Sequence, residues 1–334
     1  MQKMTRKILV AASAVCFSAC SAAVQAQQAG QQVPVQAQQQ PAQGGQVRIP
    51  IVNPQQAVAQ GDATVRQAPW EPLSPQLEQY VDTVLNVWEK RTEGIKTYEC
   101  ELHRWQFDPT FYKEGHSTHG EGTLRFEAPG KAEFKIDTLR TLTNKQPAKY
   151  EVLQNEPHGP HWICDGQWVH IMDQNKKKAT KIELPPEYRG ERVYRSPLPF
   201  VFGVKAAEMK ARYWIRPMDM KRPGEVWLEA VPRRADDAAN YMKVQIVLDQ
   251  QDTLPKGLIV FMTNWTPQSP HREVFQFNNR RTNMVKANLM QIFRQSFIQP
   301  KLGNEWTIDE QPYTPPEAPQ PRVATPQMQP RIQR

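Results

Sequence analysis

Between positions 162 and 184 the chain alternates in a way that predicts three short strands. Trp162 and Cys164 flank Ile163, then Asp165-Gly166 interrupts the run, and Trp168, His170 and Met172 alternate with Val169 and Ile171. An Asp-Gly pair between two apolar, β-favouring runs is the strongest short-range hairpin signal. A polar turn at 173–178 leads to a third run with Thr180, Ile182 and Leu184 on one face. Bulky residues on both faces mean that this meander must cover or curl around something.

The same period of two recurs on either side. Upstream, Tyr98, Cys100 and Leu102 alternate with Glu99, Glu101 and His103, followed by a polar loop at about 108–120 and strands at 123–127 and 131–136 split by Pro129-Gly130. A short run at 150–153 leads into the meander. Downstream, after an irregular crossing at 185–199 and a short helix near 206–210, strands are expected at 211–215, 225–231, 242–248, 256–263 and 273–277. Beyond Arg281 the pattern weakens into a closing segment with Phe293, Phe297 and Trp306.

Only one stretch has a strong helical period. Ser74-Pro75 supplies an N-cap and a first-turn proline, and Leu77, Tyr80, Val81, Val84, Leu85 and Trp88 form an apolar stripe that Gly94 ends. Ten to twelve strands with two helices predict an α+β fold that is mainly antiparallel β. A sheet that long curls, so the expectation is a strongly curved, incompletely closed β-barrel. The N-terminal amphipathic helix and the mid-chain helix, as a lid, should fill its concave side.

The ends of the chain change the picture of where this domain works. Lys3, Arg6 and Lys7 precede an apolar run at 8–19 and a small-residue cleavage site, Val24-Gln25-Ala26, so residues 1–26 read as a secretory signal peptide. Phe17-Ser18-Ala19-Cys20 offers the alternative of a lipoprotein acylated on Cys20. Either reading puts the mature chain in the periplasm or cell envelope. Residues 27–69 read as a disordered linker, since 13 of the 34 positions in 27–60 are Gln and the rest are largely Ala, Pro, Val and Gly. Residues 312–334, rich in Pro and Gln, read as a disordered tail. The half-barrel domain is therefore expected at 70–311.

Charge excludes one class of function. The 334 residues carry a net charge of +8, which falls to +5 once Lys3, Arg6 and Lys7 leave with the signal. The basic residues are scattered rather than gathered on one face, so no nucleic-acid partner is expected. Cys100 and Cys164 form an even pair after soluble cleavage. In an exported protein they read either as a disulfide or as two buried thiols on adjacent strands.

The order of motifs resembles the LolA/LolB-like outer-membrane lipoprotein carriers. Gly122-Thr123-Leu124-Arg125-Phe126-Glu127-Ala128-Pro129-Gly130-Lys131-Ala132-Glu133-Phe134 resembles that family's strand, proline turn and strand. Asp165-Gly166 with Trp168 resembles its hairpin, and Ser196-Pro197-Leu198 its entry to the lid helix. Tyr213-Trp214-Ile215, the run from Val226-Trp227-Leu228 to Val231-Pro232, and the segment 242–261 resemble its later strands. The resemblance spans about 77–308, and the chain is similar too to exported domains of the planctomycete type. It implies a LolA-like apolar cavity that shields a lipid or a lipoprotein acyl chain, without catalysis and without a cofactor. The carrier family has Arg before the turn proline where this chain has Ala128.

Phe126, Phe134, Trp162, Trp168, Trp214, Trp227 and Phe261 are then the candidate cavity residues, against the alternative that they are ordinary core. Alternation alone does not say which face is concave. His116/His119 and His158/His161 have H-x-x-H spacing, but glycines and proline mark both segments as solvent loops, so no metal site is expected. No G-x-S-x-G elbow, phosphate loop or paired acid and base points to an enzyme. The expectation is an exported, monomeric envelope protein that binds an apolar ligand, with the membrane surface as a second partner if Cys20 is acylated. The alternative is a scaffold of the same fold without a cavity, which Ala128 and the low-complexity ends favour.

Overall fold

The helix that begins at Ser74 sets one wall of the molecule. The computed structural model describes residues 66–152, 159–186, 189, 200–201, 205–219, 222–284, 296–298 and 301–315. Helix α1 spans Pro75–Glu93, with Ser74 Oγ accepting from the Leu77 amide at 3.4 Å. Its buried side chains are Val81, Leu85, Trp88 and Thr92, a stripe narrower than the sequence predicts, because Leu77 and Tyr80 are 44% and 45% exposed.

The strands are β1 (Thr97–Phe107), β2 (Thr118–Glu127), β3 (Lys131–Lys145), β4 (Ala148–Glu151), β5 (His161–Cys164), β6 (Trp168–Asp173), β7 (Lys178–Glu183), β8 (Tyr213–Pro217), β9 (Glu225–Pro232), β10 (Lys243–Asp249), β11 (Pro255–Phe261), β12 (Arg272–Thr282) and β13 (Thr307–Gln311). Helix α2 spans Ala206–Arg212 and a single turn, α3, spans Ala235–Ala238. The strands form one sheet in the order β13-β7-β6-β5-β3-β2-β1-β12-β11-β10-β9-β8, with β4 on β3. All pairings are antiparallel except β13 on β7. The path has two ends, so the barrel is not closed.

Curvature is visible in what the sheet buries. Residues from β1, β2, β3, β5 and β8 to β12 join Val81, Leu85 and Trp88 of α1 and Ala206 and Met209 of α2 in a single core. One face of so wide a sheet can meet in a single cluster only if the sheet wraps around it. The β2–β3 ladder is irregular. A register shift falls between Glu121 and Gly122, and a Cβ on Gly122 would run into the Lys135 carbonyl. A glycine is needed there because the backbones approach too closely for any side chain.

The Asp165-Gly166 hairpin forms as a three-residue loop, with Asp165 Oδ1 accepting from the amides of Gln167 (2.8 Å) and Trp168 (2.7 Å). Gly166 sits at φ +99°, where only glycine is unstrained. The architecture expected from the pattern is thus the one observed, an incompletely closed antiparallel sheet with both helices against its inner face.

Of the two readings of the cysteine pair, the disulfide is corrected, and the thiols are buried but not on adjacent strands. Cys100 and Cys164 are both buried and free. Cys100 lies on β1 and Cys164 on β5, with β2 and β3 between them. Three strand spacings of about 4.8 Å put the pair far beyond the roughly 7 Å limit between bridged Cα atoms. Among the described residues no helix is long and apolar enough to cross a membrane. The signal peptide, Cys20, most of the linker, Ser196-Pro197-Leu198, His158, Phe293 and most of the tail lie outside the described residues.

Candidate functional site

Strand register assigns every expected cavity residue to a face. On β1, Tyr98, Cys100 and Leu102 enter the core, and residues directly opposite each other across a ladder share a face. Tyr98 faces Phe126 and Cys100 faces Leu124. Leu124 faces Phe134, Phe134 faces Trp162, and Trp162 faces Ile171. Phe126, Phe134 and Trp162 are therefore on the inner face, all under 10% exposed.

The other four point outward. Trp168 pairs with Glu183 and has the Lys181 ammonium 4.0 Å above its ring. Trp214 pairs with Val231 and stacks with Arg233 at 3.6 Å. Trp227 faces Val247 and donates from Nε1 to Glu225 at 2.8 Å. Phe261 faces Lys243 and meets Trp265 edge-on. Parity separates these from Tyr213, Ile215, Leu228, Ala230 and Val260, which join the core.

The inner face has an aromatic centre. The Phe134 and Trp162 rings lie parallel with centroids 5.4 Å apart, and Phe275 meets Phe134 edge-on at 6.5 Å. Two buried indole donors, Trp88 Nε1 and Trp162 Nε1, find no hydrogen-bond partner among the described residues. A buried donor left without an acceptor is costly, and these two mark where an acceptor on a bound molecule would be welcomed. Burial pushes the Cys164 thiol up to about 12, so it is a neutral, inert thiol that donates to the Gly130 carbonyl at 3.3 Å.

Among the described residues, helices lie on this face at one end of the sheet. Helix α1 rests on β8 and α2, at one end of the sheet path. Toward the other end, Leu139 of β3 and Val169 and Ile171 of β6 pack against the core but stay only partly buried. Among the described residues the inner face is thus mainly apolar; its polar elements include the ion pair of Arg104 with Glu273 at 2.6 Å and the hydroxyl pair of Tyr213 and Tyr241 at 2.8 Å.

The outer face is chemically different. Arg125 donates to Glu99 and Glu133, each at 2.8 Å, and Arg281 also pairs with Glu99. His161 reaches Glu133 at 3.1 Å. His119, expected in a loop, lies on β2, because that strand starts at Thr118 and pairs on both sides from its first residue. It faces Trp105 across β1 and Arg140 across β3, and its neighbour His103 faces Glu121. Burial holds the His119 imidazole below its usual 6.5 despite the nearby Glu121 carboxylate. His116 stacks on Tyr150 at 4.3 Å. Sequence spacing missed the His103–His119 pair because it is a cross-strand neighbour, 16 residues apart. The register of the β1–β2 hairpin was the signal that would have found it.

No protein-family model and no curated protein matches the chain. Solved structures do match its architecture. An uncharacterized conserved protein from Thermus thermophilus is 6% identical, with a TM-score of 0.39 over 70% of this chain and all of its own. The lipoprotein LppX of Mycobacterium tuberculosis is 6% identical, with a TM-score of 0.32 over 63% of this chain and 98% of its own. A LolA superfamily protein from Nitrosomonas europaea is 10% identical, with a TM-score of 0.25 over 63% of this chain and 96% of its own. Likenesses this loose transfer no activity.

Proposed function

We propose that this is an exported, non-catalytic envelope protein whose half-barrel takes up a lipid or acyl chain between the sheet and its covering helices. The observation that supports this reading is the continuous apolar inner face, on which the described helices lie at one end of the sheet. Val169 and Ile171 leave an apolar approach to the Phe134–Trp162 pair at the end away from α1. Each CH₂ moved from water onto such a surface gains about 0.8 kcal/mol, so a chain of ordinary length needs few polar contacts to stay bound. Ester carbonyls of a lipid would supply the acceptors that Trp88 and Trp162 lack. Ala128, in place of an arginine before the turn proline, argues for a general apolar ligand rather than for lipoprotein handover.

The test is native mass spectrometry and lipid extraction of the chain purified from a bacterial periplasm. Lipid should co-purify, and Ile171→Asp, which puts a charge at the partly open end while sparing the buried core, should remove it. A clean apo mass with no uptake of added phospholipid would sink the carrier reading. It would favour instead an envelope scaffold, for which Trp168 and Trp214, half-buried on the outer face, are the natural contact points.

A further inference from the structure

The outer face of β1 and β2 holds a group of side chains that lipid binding does not use. His103 Nδ1 and His119 Nε2 are 3.2 Å apart, and a Glu121 carboxylate oxygen lies 3.9 Å from the same His119 nitrogen. One ligand atom from each of the three falls within 4.8 Å of the others. We propose that His103, His119 and Glu121 form a zinc site on the outer face of the sheet, with water as the fourth ligand.

The geometry argues this at several points. Two nitrogens bound to one tetrahedral zinc at about 2.05 Å lie about 3.3 Å from each other, close to the separation seen. Register fixes both rings. His103 faces Glu121 directly across the β1–β2 ladder, and His119 is two positions before Glu121 on the same face. The donors thus sit on rigid, paired strands rather than on mobile loops, which lowers the cost of assembling a site. Trp105 stacks on His119 with centroids 4.8 Å apart and an interplanar angle of 6°, and on His103 at 5.7 Å. That wall restricts ring rotation.

The carboxylate has its own support. Arg140 donates to Glu121 Oε1 at 2.6 Å, the kind of outer contact that orients a metal-ligating carboxylate. The 3.9 Å between Glu121 and His119 must shorten by about 0.6 Å to reach a ligand–ligand distance suited to zinc, and its distance from His103 is already within 4.8 Å. All three groups are half-buried or at the edge of exposure, so an ion can reach them from solvent. Two imidazoles and one carboxylate suit borderline metals, zinc above all, and exclude the all-oxygen preferences of calcium and magnesium. His116 is no ligand, since it is stacked on Tyr150 and its ring centroid stands 6.2 Å from that of His119. The fourth position is therefore open to water.

The bland reading of the same atoms is a neutral cross-strand pair in which one imidazole donates to the other. It explains the 3.2 Å contact, with Glu121 then serving only its ion pair with Arg140; titration with metal separates the two readings.

The experiment uses the full chain without a histidine tag, stripped by chelator, and titrated with Zn²⁺ by calorimetry and with Co²⁺ by visible absorption. We expect one equivalent of zinc and the intense band of four-coordinate cobalt. His103→Gln and His119→Gln should each weaken zinc at least about 100-fold, and Glu121→Gln about 10- to 100-fold. His116→Ala should leave the affinity unchanged. Absence of zinc binding, the pale spectrum of hydrated cobalt, or undiminished affinity in a His103→Gln/His119→Gln variant would each overturn the proposal. Should a variant fail to fold, the wild-type cobalt spectrum alone still decides the coordination.

Discussion

The two faces of β1 each bury side chains, by opposite means. Inward, Tyr98, Cys100 and Leu102 enter an apolar core that asks only for area and fit. Outward, Glu99 is just as buried, at 5%, yet it is a carboxylate held by Arg125 and Arg281. From Arg281 through Glu99 and Arg125 to Glu133, the outer face is a chain of charges, each with a partner of opposite sign, and His161 hydrogen-bonds its last member. The inner face can accept a new apolar guest because its contacts are non-directional. The outer face cannot rearrange without stranding a charge. The proposed apolar ligand therefore suits the inside, and the proposed coordination the outside.

The comparison has one exception, and breaking it should give the largest effect. Arg104 is 2% exposed on the inner side and binds Glu273 with two hydrogen bonds, at 2.6 and 3.1 Å. Arg104→Leu would strand a buried carboxylate and should cost about 3–5 kcal/mol in urea unfolding. Adding Glu273→Leu should restore the loss to within about 1 kcal/mol, since a matched buried pair is worth little more than an apolar one. A single-variant loss below about 1 kcal/mol would mean that water reaches Glu273 and that the inner face is open at this end.

A smaller effect should separate the faces by pH. Burial alone would raise the Glu133 carboxyl, but hydrogen bonds from His161 and Arg125, with the charges of both, outweigh it and hold the group below its usual 4.5. A carboxylate with a depressed folded pKa stabilises the fold above its unfolded value, near 4.5, and loses that contribution as pH falls through the folded value. Stability should therefore decline below about pH 4.5. Glu133→Gln should flatten that decline and cost about 1–3 kcal/mol at neutral pH. An unchanged acid limb would show that the outer network is not coupled to folding.

Much of this was legible in the sequence, for reasons that can be located. Alternation gave the strands, because one-sided burial imposes a period of two, and Asp165-Gly166 gave its turn, because Asp165 caps the loop with its own side chain. The faces were not legible. Trp168, Trp214, Trp227 and Phe261 are as bulky as Phe126, Phe134 and Trp162, so parity lacked an anchor until Tyr98 was seen in the core. Pairing across the sheet was equally hidden. Cys100 and Cys164 are similar in pattern but three strands apart. Strand β13 escaped because Thr307–Gln311 has a single apolar residue and joins β7 through its backbone.

The smallest effect concerns the seam where the helices meet over the inner face. Helix α2 has no side-chain cap from its own N-cap residue, Lys205. Its first amide, Ala206, donates instead to Glu89 of α1 at 2.8 Å, and Lys205 reaches Glu89 at 3.2 Å and Glu93 at 2.6 Å. That amide hydrogen bond, chiefly, holds the Glu89 carboxyl below its usual value, with Lys205 adding to it. A partly exposed contact of this kind is worth about 0.5–1 kcal/mol. Glu89→Gln should therefore barely move global unfolding, while hydrogen exchange at Ala206 accelerates by about fivefold. If exchange at Ala206 instead tracks global unfolding, α1 and α2 open only with the whole domain. A ligand would then have to enter beside Val169 and Ile171, where the inner face is already partly uncovered.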